Sequence, residues 1–148
     1  MADPLDFGID MASVQARLEL LGYFRAVEDV LGASEALDQT VPAAPPAAFI
    51  GIGRENATPN DVIGGGHRQR VTTELAVLFV ELASRFDGAT KGQMEQTRKA
   101  IIRQLIGWKP IGAQVPLEYA AYRIVEIGNG LAWGEVTFTT TYRVGTAA

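Results

Sequence analysis

Cysteine is absent from all 148 residues of the sequence. Its absence excludes disulfide frameworks, thiolate zinc sites and cysteine nucleophiles, and it is typical of proteins that fold in a reducing compartment. A chain of this length buries roughly 70% of the surface that it exposes when unfolded. We therefore expect a stable core without covalent or metal cross-links.

Long apolar runs are also missing. The longest, Leu75 to Val80, has six residues, whereas a helix that crosses a membrane needs roughly 20. The first residues, Met1 to Asp6, carry acidic side chains where a signal peptide would carry basic ones. We expect neither membrane insertion nor export.

Basic residues are in the minority, with 13 Lys and Arg against 17 Asp and Glu, which gives a formal charge of −4. This balance argues against broad attraction to nucleic acid phosphates. Hydrophobic residues make up 47% of the chain and charged residues 20%, as in one ordinary globular domain. We expect residues 1–148 to form a single domain.

Two segments have the residue spacing of amphipathic helices. The first begins near Met11 with Asp10 or Ser13 as its cap, and the second runs from Gln93 to Ile106. Their inner faces carry Val14, Leu18 and Leu21 in the first helix and Met94, Thr97, Ile101 and Leu105 in the second. Residues 31–37 have the composition of a third, short helix.

Five segments have the composition of strands. They are residues 23–27, where a continued helix fits nearly as well, then 48–52, 71–82, 119–127 and 131–144. Gly128-Asn129-Gly130 predicts a tight turn between the last two strands. These elements predict an α+β fold, with an antiparallel-dominated sheet and two main helices packed mainly on one face.

A polar, glycine-rich run from Gly53 to Gln69 separates two of the strands. We expect it to be an exposed and mobile loop, and long loops often carry function. On the last strand, a polar face contains Thr137, Thr139, Thr141 and Arg143. That face either meets solvent or, at a sheet edge, pairs with a neighbouring subunit.

Motifs for catalysis or cofactor binding are not found. His67 is the only histidine, and a lone histidine makes a poor metal site. The run Gly64 to Arg68 lacks the Lys-Ser/Thr of a phosphate-binding loop, and a strand follows it where a helix should. We therefore predict no enzymatic activity, no metal and no cofactor.

Several short motifs occur in a characteristic order along nearly the whole chain. They are LGYFRAVE at 21–28, PAAFI at 46–50, RQRV at 68–71, LAVLFV at 75–80, LIGWKP at 105–110, GLAW at 130–133 and FTTTY at 138–142. In this order they resemble tail terminator proteins of long-tailed bacteriophages. Gly107-Trp108-Lys109-Pro110 is the most specific of them.

The resemblance implies a structural virion protein made in the host bacterial cytoplasm. Its subunits would close into a ring, typically six-fold, at the head-proximal end of the tail tube, stop tube growth and offer a joining surface to the head. The implied partners are other copies of the chain, the tail tube protein and a head-tail connector or stopper protein. No membrane contact is implied, and nucleic acid contact is limited to DNA that passes through the ring.

On this resemblance, nine residues are candidates for contacts between subunits or with the tube. They are Arg54, Glu55, Asn56, His67 and Arg68 in the long loop and Thr137, Thr139, Thr141 and Arg143 on the last strand. Trp108, Pro110 and Trp133 are assigned to folding, since large aromatic residues beside glycine or proline commonly lock an element in place.

Three other classes of function remain open at this point. A head-tail connector or tail-completion protein shares the size and the oligomeric habit of a terminator. A small-molecule-binding bacterial α+β module would instead show a deep apolar pocket lined by convergent polar groups. The last of them is an enzyme, which would need a cleft in which any two of the carboxylates or His67 lie within hydrogen-bond reach.

Overall fold

A computed structural model describes residues 7–29, 44–83 and 88–146 of the chain. Two helices and five strands lie in these ranges. They are α1 (Met11–Glu19), β1 (Ala26–Asp29), β2 (Ala47–Ala57), β3 (His67–Leu82), α2 (Gly88–Leu105), β4 (Glu118–Gly128) and β5 (Leu131–Thr146). The short helix predicted over residues 31–37 lies outside the described residues.

The five strands form one sheet in the order β1-β2-β3-β5-β4. β1 pairs with β2 in parallel, and every other neighbouring pair of strands is antiparallel. The predicted α+β class with an antiparallel-dominated sheet is confirmed. Within the described residues, neither helix is long and apolar enough to cross a membrane.

Both helices pack on the same face of the sheet, as predicted. Asp10 caps α1, since its side chain accepts a hydrogen bond from the backbone N–H of Ala12 at 3.0 Å. The helices are joined to each other by Arg17 and Gln104, each of which donates a side-chain hydrogen bond to the other's carbonyl oxygen, at 3.1 and 2.7 Å. The inward residues are Val14 and Leu18 of α1 and Met94, Thr97, Ile101 and Leu105 of α2.

The end of α2 is fixed by the residues that the sequence indicated. Gly107 has a φ of 76°, a left-handed conformation that glycine adopts without strain. Its N–H donates to the carbonyl of Leu117 at 2.9 Å, which ties the helix end to the start of β4. The Arg17 guanidinium lies 5.3 Å from the ring centroid of Trp108, so this tryptophan joins the two helices.

The opposite face of the sheet also has an apolar cluster. Its buried members are Ala47, Phe49, Leu78, Val80 and Trp133. The rings of Phe49 and Trp133 stack with their centroids 5.9 Å apart, so Trp133 serves packing. Burial on both faces explains why the centre of β3 reads as a continuous apolar run.

The hairpin of β4 and β5 matches its prediction. Asn129 and Gly130 have φ values of 55° and 77° at the turn, as a tight hairpin connection requires. Phe79 and Tyr122 stack with their ring centroids 6.3 Å apart, and Gly134 of β5 lies against both rings. Any side chain at position 134 would occupy the volume of the Phe79 ring.

Several element boundaries differ from the sequence prediction. β1 covers residues 26–29 rather than 23–27, and α2 starts at Gly88 rather than Gln93. β2 continues to Ala57 and β3 begins at His67, so the predicted loop of residues 53–69 is wrong except for its central part, 58–66. The extra strand residues are held by the β2–β3 ladder, which pairs Arg54 to Ala57 with Glu74 to Val71.

Candidate functional site

The apolar core on the helix face of the sheet ends at one row of residues. Ile52 of β2, Leu75 of β3 and Phe138 of β5 are paired across the strands and form that row. Beyond it, the three strands and the loop 58–66 carry mostly polar and charged side chains. We call this part the polar end of the sheet and define it as residues 53–74 and 139–146.

Eight of the nine candidate contact residues lie at the polar end, though not in the setting that the sequence predicted. Arg54, Glu55 and Asn56 belong to β2, and His67 and Arg68 open β3, because ladder pairing extends both strands into the expected loop. On β5, Thr139, Thr141 and Arg143 pair with Glu74, Thr72 and Arg70. The structure therefore joins two segments that are distant in sequence.

Thr137 is the ninth candidate, and its setting contradicts the prediction of an open polar face. It is 8% exposed and pairs with Ala76 on one side and Ala121 on the other. Since β5 lies between β3 and β4 up to Thr139, it is not an edge strand there and cannot pair with a neighbouring subunit. Past Thr141, whose carbonyl accepts from the N–H of Gln114 at 2.7 Å, no described strand flanks this side of β5.

Strand alternation divides the candidates between the two faces of the sheet. The face away from the helices, which we call the outer face, carries Arg54, Asn56, Arg68, Thr139, Thr141 and Arg143. Glu55 and His67 are on the helix face. The outer face of the polar end is consequently the surface that most of the candidates share.

Four arginines give this outer face a basic surplus. Arg54, Arg68, Arg70 and Arg143 are all exposed, and the acidic residues on the same side are Asp61 and Glu74. Arg68 Nε donates to Asp61 Oδ1 at 2.9 Å. Its guanidinium lowers the pKa of Asp61 through that hydrogen bond, and the charge of Arg143 acts in the same direction.

Arg143 Nε donates to Gln114 Oε1 at 3.1 Å, and the pairing of Arg54 is looser. The Arg54 guanidinium lies 3.8 Å from the Glu74 carboxylate, and the Arg54 side chain is 72% exposed. An exposed ion pair of this kind contributes at most about 1 kcal/mol to stability. The guanidinium groups of the outer face therefore remain accessible to the carboxylates of a partner.

Glu55 has an internal role on the helix face. Its carboxylate accepts hydrogen bonds from Tyr142 Oη at 2.7 Å and from Thr73 Oγ1 at 3.1 Å. Burial, reinforced by the bond to Glu55, raises the pKa of Tyr142 to about 12. Glu55 thus joins β2, β3 and β5 at the base of the polar end.

The loop 58–66 is organised by one side chain. Asn60 Oδ1 accepts from the backbone N–H groups of Val62 and Arg68 at 3.1 and 2.8 Å, and its Nδ2 donates to the carbonyl of Gly66 at 3.3 Å. At its tip stands Ile63, whose side chain is 100% exposed. The sequence reasoning missed Ile63, although an isolated Val-Ile pair within a polar run was the signal for it.

Chemistry at this site is limited by its residue types. His67 Nε2 lies 2.7 Å from Gln69 Oε1, so its ring is engaged by a neutral amide. In the described part of the chain, no group of three or more His, Cys, Asp or Glu residues could hold a metal ion. Guanidinium, amide and hydroxyl groups on an exposed sheet surface are suited to protein contacts.

One of the comparisons with known proteins identifies a family. A family model described as phage tail terminator protein matches residues 1–148. Curated proteins give no match, whereas 25 chains of solved structures do. One of these, from the "Virion of native gene transfer agent (GTA) particle", has 17% sequence identity and a TM-score of 0.55, with 94% of this chain and 96% of that chain covered. At this identity the match shows a shared fold.

Proposed function

This chain belongs to the phage tail terminator protein family, and from that premise we propose that its subunits close into a ring, most simply a hexamer, at the head-proximal end of the tail tube. A phage tail structural role in the virion follows from the family. The ring ends polymerisation of the tube and offers the head its joining surface. The partners in this proposal are other copies of the chain, the tail tube protein and a connector or stopper protein.

The polar end of the sheet is the observation that best supports this proposal. Arg54 and Asn56 come from β2 and Arg143 comes from β5, and all three lie on one exposed face. The whole chain is acidic, with a formal charge of −4, whereas this face carries a surplus of arginine. A basic surface on an acidic subunit favours one orientation of approach to an acidic partner.

The proposal requires no reaction of the protein. The candidates act as contact residues, Arg54, Arg68 and Arg143 as charged groups and Asn56, Thr139 and Thr141 as hydrogen-bonding groups. His67 lies at the boundary between β3 and the loop, where a second subunit has access. Thr137 supports these contacts from inside the fold, and Glu55 supports them through its hydrogen bonds to Thr73 and Tyr142.

Tube growth in the presence of the protein tests this function directly. Purified tail tube protein of the same particle is polymerised with increasing amounts of the chain, and tube lengths are measured by negative-stain microscopy. We expect shorter tubes with a ring at one end. Unchanged length distributions at saturating protein would contradict the proposal.

A charge-reversal pair locates the contact surface. Arg54→Glu with Arg143→Glu should require roughly tenfold more protein for the same shortening, because two arginines of the outer face then repel an acidic partner. Arg103→Glu with Lys109→Glu makes the same change of charge at exposed positions outside the polar end and should behave as wild type. Equal effects of the two pairs would indicate a general effect of charge rather than a specific contact.

A further inference from the structure

Ile63 has the properties of an anchor residue. It is 100% exposed in a loop whose backbone is held by hydrogen bonds to the Asn60 side chain on both sides of the tip. Gly64 and Gly65 have φ values of 94° and 106°, which few other residues adopt. Because the loop is already ordered by these bonds, burial of its tip against a partner costs little conformational entropy.

A groove of matching character lies between the end of α1 and the first half of α2. Its volume is about 230 Å³, more than one aliphatic side chain occupies, and its lining is mainly apolar. The lining residues are Leu21, Tyr23, Gln93, Gln96, Thr97 and Ala100. Exposed charges of both signs flank it in sequence, Glu19 and Lys99.

The base of the groove is held by a partly buried hydrogen-bond network. Tyr23 Oη donates to the Glu81 carboxylate, with its two oxygens at 2.7 and 2.8 Å, and Thr97 Oγ1 donates to the same carboxylate at 2.6 Å. Gln93 Nε2 donates to Tyr23 Oη at 2.8 Å. These bonds fix the walls of the groove, so the groove exists before any partner binds.

Ile63 and the groove lie at opposite ends of the sheet. The loop of Ile63 leads into His67 at the start of β3, whereas Glu81 lies near the end of this strand, roughly 45 Å away at the rise of an extended chain. One copy cannot place its own Ile63 in its own groove. A contact between two different surfaces of identical subunits is heterologous, and it generates a closed ring when the rotation between subunits closes.

We propose that Ile63 of one copy inserts into the groove between α1 and α2 of the next copy, and that this contact propagates around the ring. The proposal rests on the ring of the proposed function and deepens it by naming the two surfaces that meet. In this contact the Asp61–Arg68 ion pair of one copy lies beside Glu19 and Lys99 of the next copy. Each copy thus contributes one acidic and one basic residue to the rim of the contact.

Disulfide trapping tests the contact in a chain that has no cysteine of its own. Ile63→Cys and Gln96→Cys are made as single variants, mixed at a concentration where the protein assembles or on tail tubes, and oxidised. Since a disulfide forms only when the two Cα atoms come within about 7 Å, we expect covalent heterodimers from the mixture and a ladder of oligomers from the double variant.

Ile111→Cys is the matched control, since Ile111 is 67% exposed and lies outside both the loop 58–66 and the groove. Ile63→Cys should not couple to it. Equal coupling of Ile63→Cys to both positions, or coupling only to itself, would overturn the inference, as would absence of any cross-link under conditions where rings are seen.

A second variant separates this inference from the function itself. Ile63→Asp should weaken subunit association roughly 10- to 100-fold, because an aliphatic side chain is replaced by a charge in an apolar groove, as measured by light scattering across concentration. Unchanged ring mass would overturn the inference, and if such rings still shortened tubes the proposed function would stand. A wild-type protein that neither formed rings nor shortened tubes would overturn both.

Discussion

Glu55 shows how contacts of a single residue change its interpretation. In the sequence it is one of several charged residues in a polar run, and nothing marks it as different from Arg54 or Asn56. In the fold, its carboxylate accepts hydrogen bonds from residues of two other strands, Thr73 and Tyr142. The partners of Glu55 lie 18 and 87 positions along the chain, so no local pattern could have indicated them.

Removal of the Tyr142 hydroxyl should therefore destabilise the fold. Tyr142→Phe should lower the free energy of unfolding by about 1 kcal/mol at pH 7, the usual contribution of one hydrogen bond, as measured by urea denaturation. Glu55→Gln keeps an acceptor at the same place and should cost less. A Tyr142→Phe midpoint identical to wild type would show that the bond contributes nothing.

The Tyr142 hydroxyl also makes the free energy of unfolding depend on pH in the alkaline range. The folded pKa of Tyr142 is raised from 10.0 to about 12, so the folded state holds this proton more tightly than the unfolded state. Its contribution is complete below pH 10 and is lost as pH rises through 12. Wild type should therefore lose more stability between pH 9 and pH 11.5 than Tyr142→Phe in parallel denaturation curves.

At Gly134 the size of the side chain alone determines the effect of a substitution on stability. A Cβ atom there would lie 2.6 Å from Cζ of Phe79, so Gly134→Ala should cost about 1–3 kcal/mol of unfolding free energy through overpacking. Gly128→Ala is the matched control, because an added Cβ at position 128 meets no atom within 4 Å. Thermal unfolding of both variants tests this difference, and equal melting temperatures would contradict it.

At the scale of elements, the sequence predicted what depends on local signals. The periodicity of α2, the glycine that ends it and the hairpin turn at Asn129 and Gly130 are read from neighbouring residues. Gly53 to Asn56 lack the branched and aromatic residues of a strand, and only their pairing with β3 makes them one. The order of strands, with β5 beside β3, depends on contacts between distant segments and was not predictable.

The loop 58–66 provides an element-scale prediction. Asn60→Ala removes the acceptor for the N–H groups of Val62 and Arg68, so these two amides should exchange hydrogen at least roughly tenfold faster, by the loss of about one hydrogen bond each. Amide exchange followed by NMR measures this effect. Asn56→Ala changes an exposed amide of the neighbouring strand and should leave both rates unchanged; equal acceleration would point to general loosening.

At the scale of the whole molecule, the order of the short motifs along the chain indicated the family more clearly than any single motif did. The family was indicated by short segments in sequence, among them the Gly107 to Pro110 element, and the family match over residues 1–148 confirms it. The outer face that most of the candidate contact residues share was not predictable, since it arises from pairing among β2, β3 and β5. Among the described residues, Ile63 is the most exposed of the large apolar residues, and it was missed.

Cooperativity of the whole chain can be tested with its two tryptophans, the only two in the sequence. Trp108 packs against the core on the helix face and Trp133 against the cluster on the opposite face. If residues 1–148 form a single domain, Trp108→Phe and Trp133→Phe should each show one fluorescence transition that coincides with its own circular dichroism transition. Separate midpoints within either variant would indicate two independently folding layers.

The central position of β5 has a consequence for synthesis on the ribosome. β5 leaves the exit tunnel after the four other strands, yet it pairs with both β3 and β4. Until it emerges, the apolar residues of β3 have a partner on one side alone, and β4 has none in the sheet. The nascent chain therefore cannot complete the polar end of the sheet until β5 has emerged.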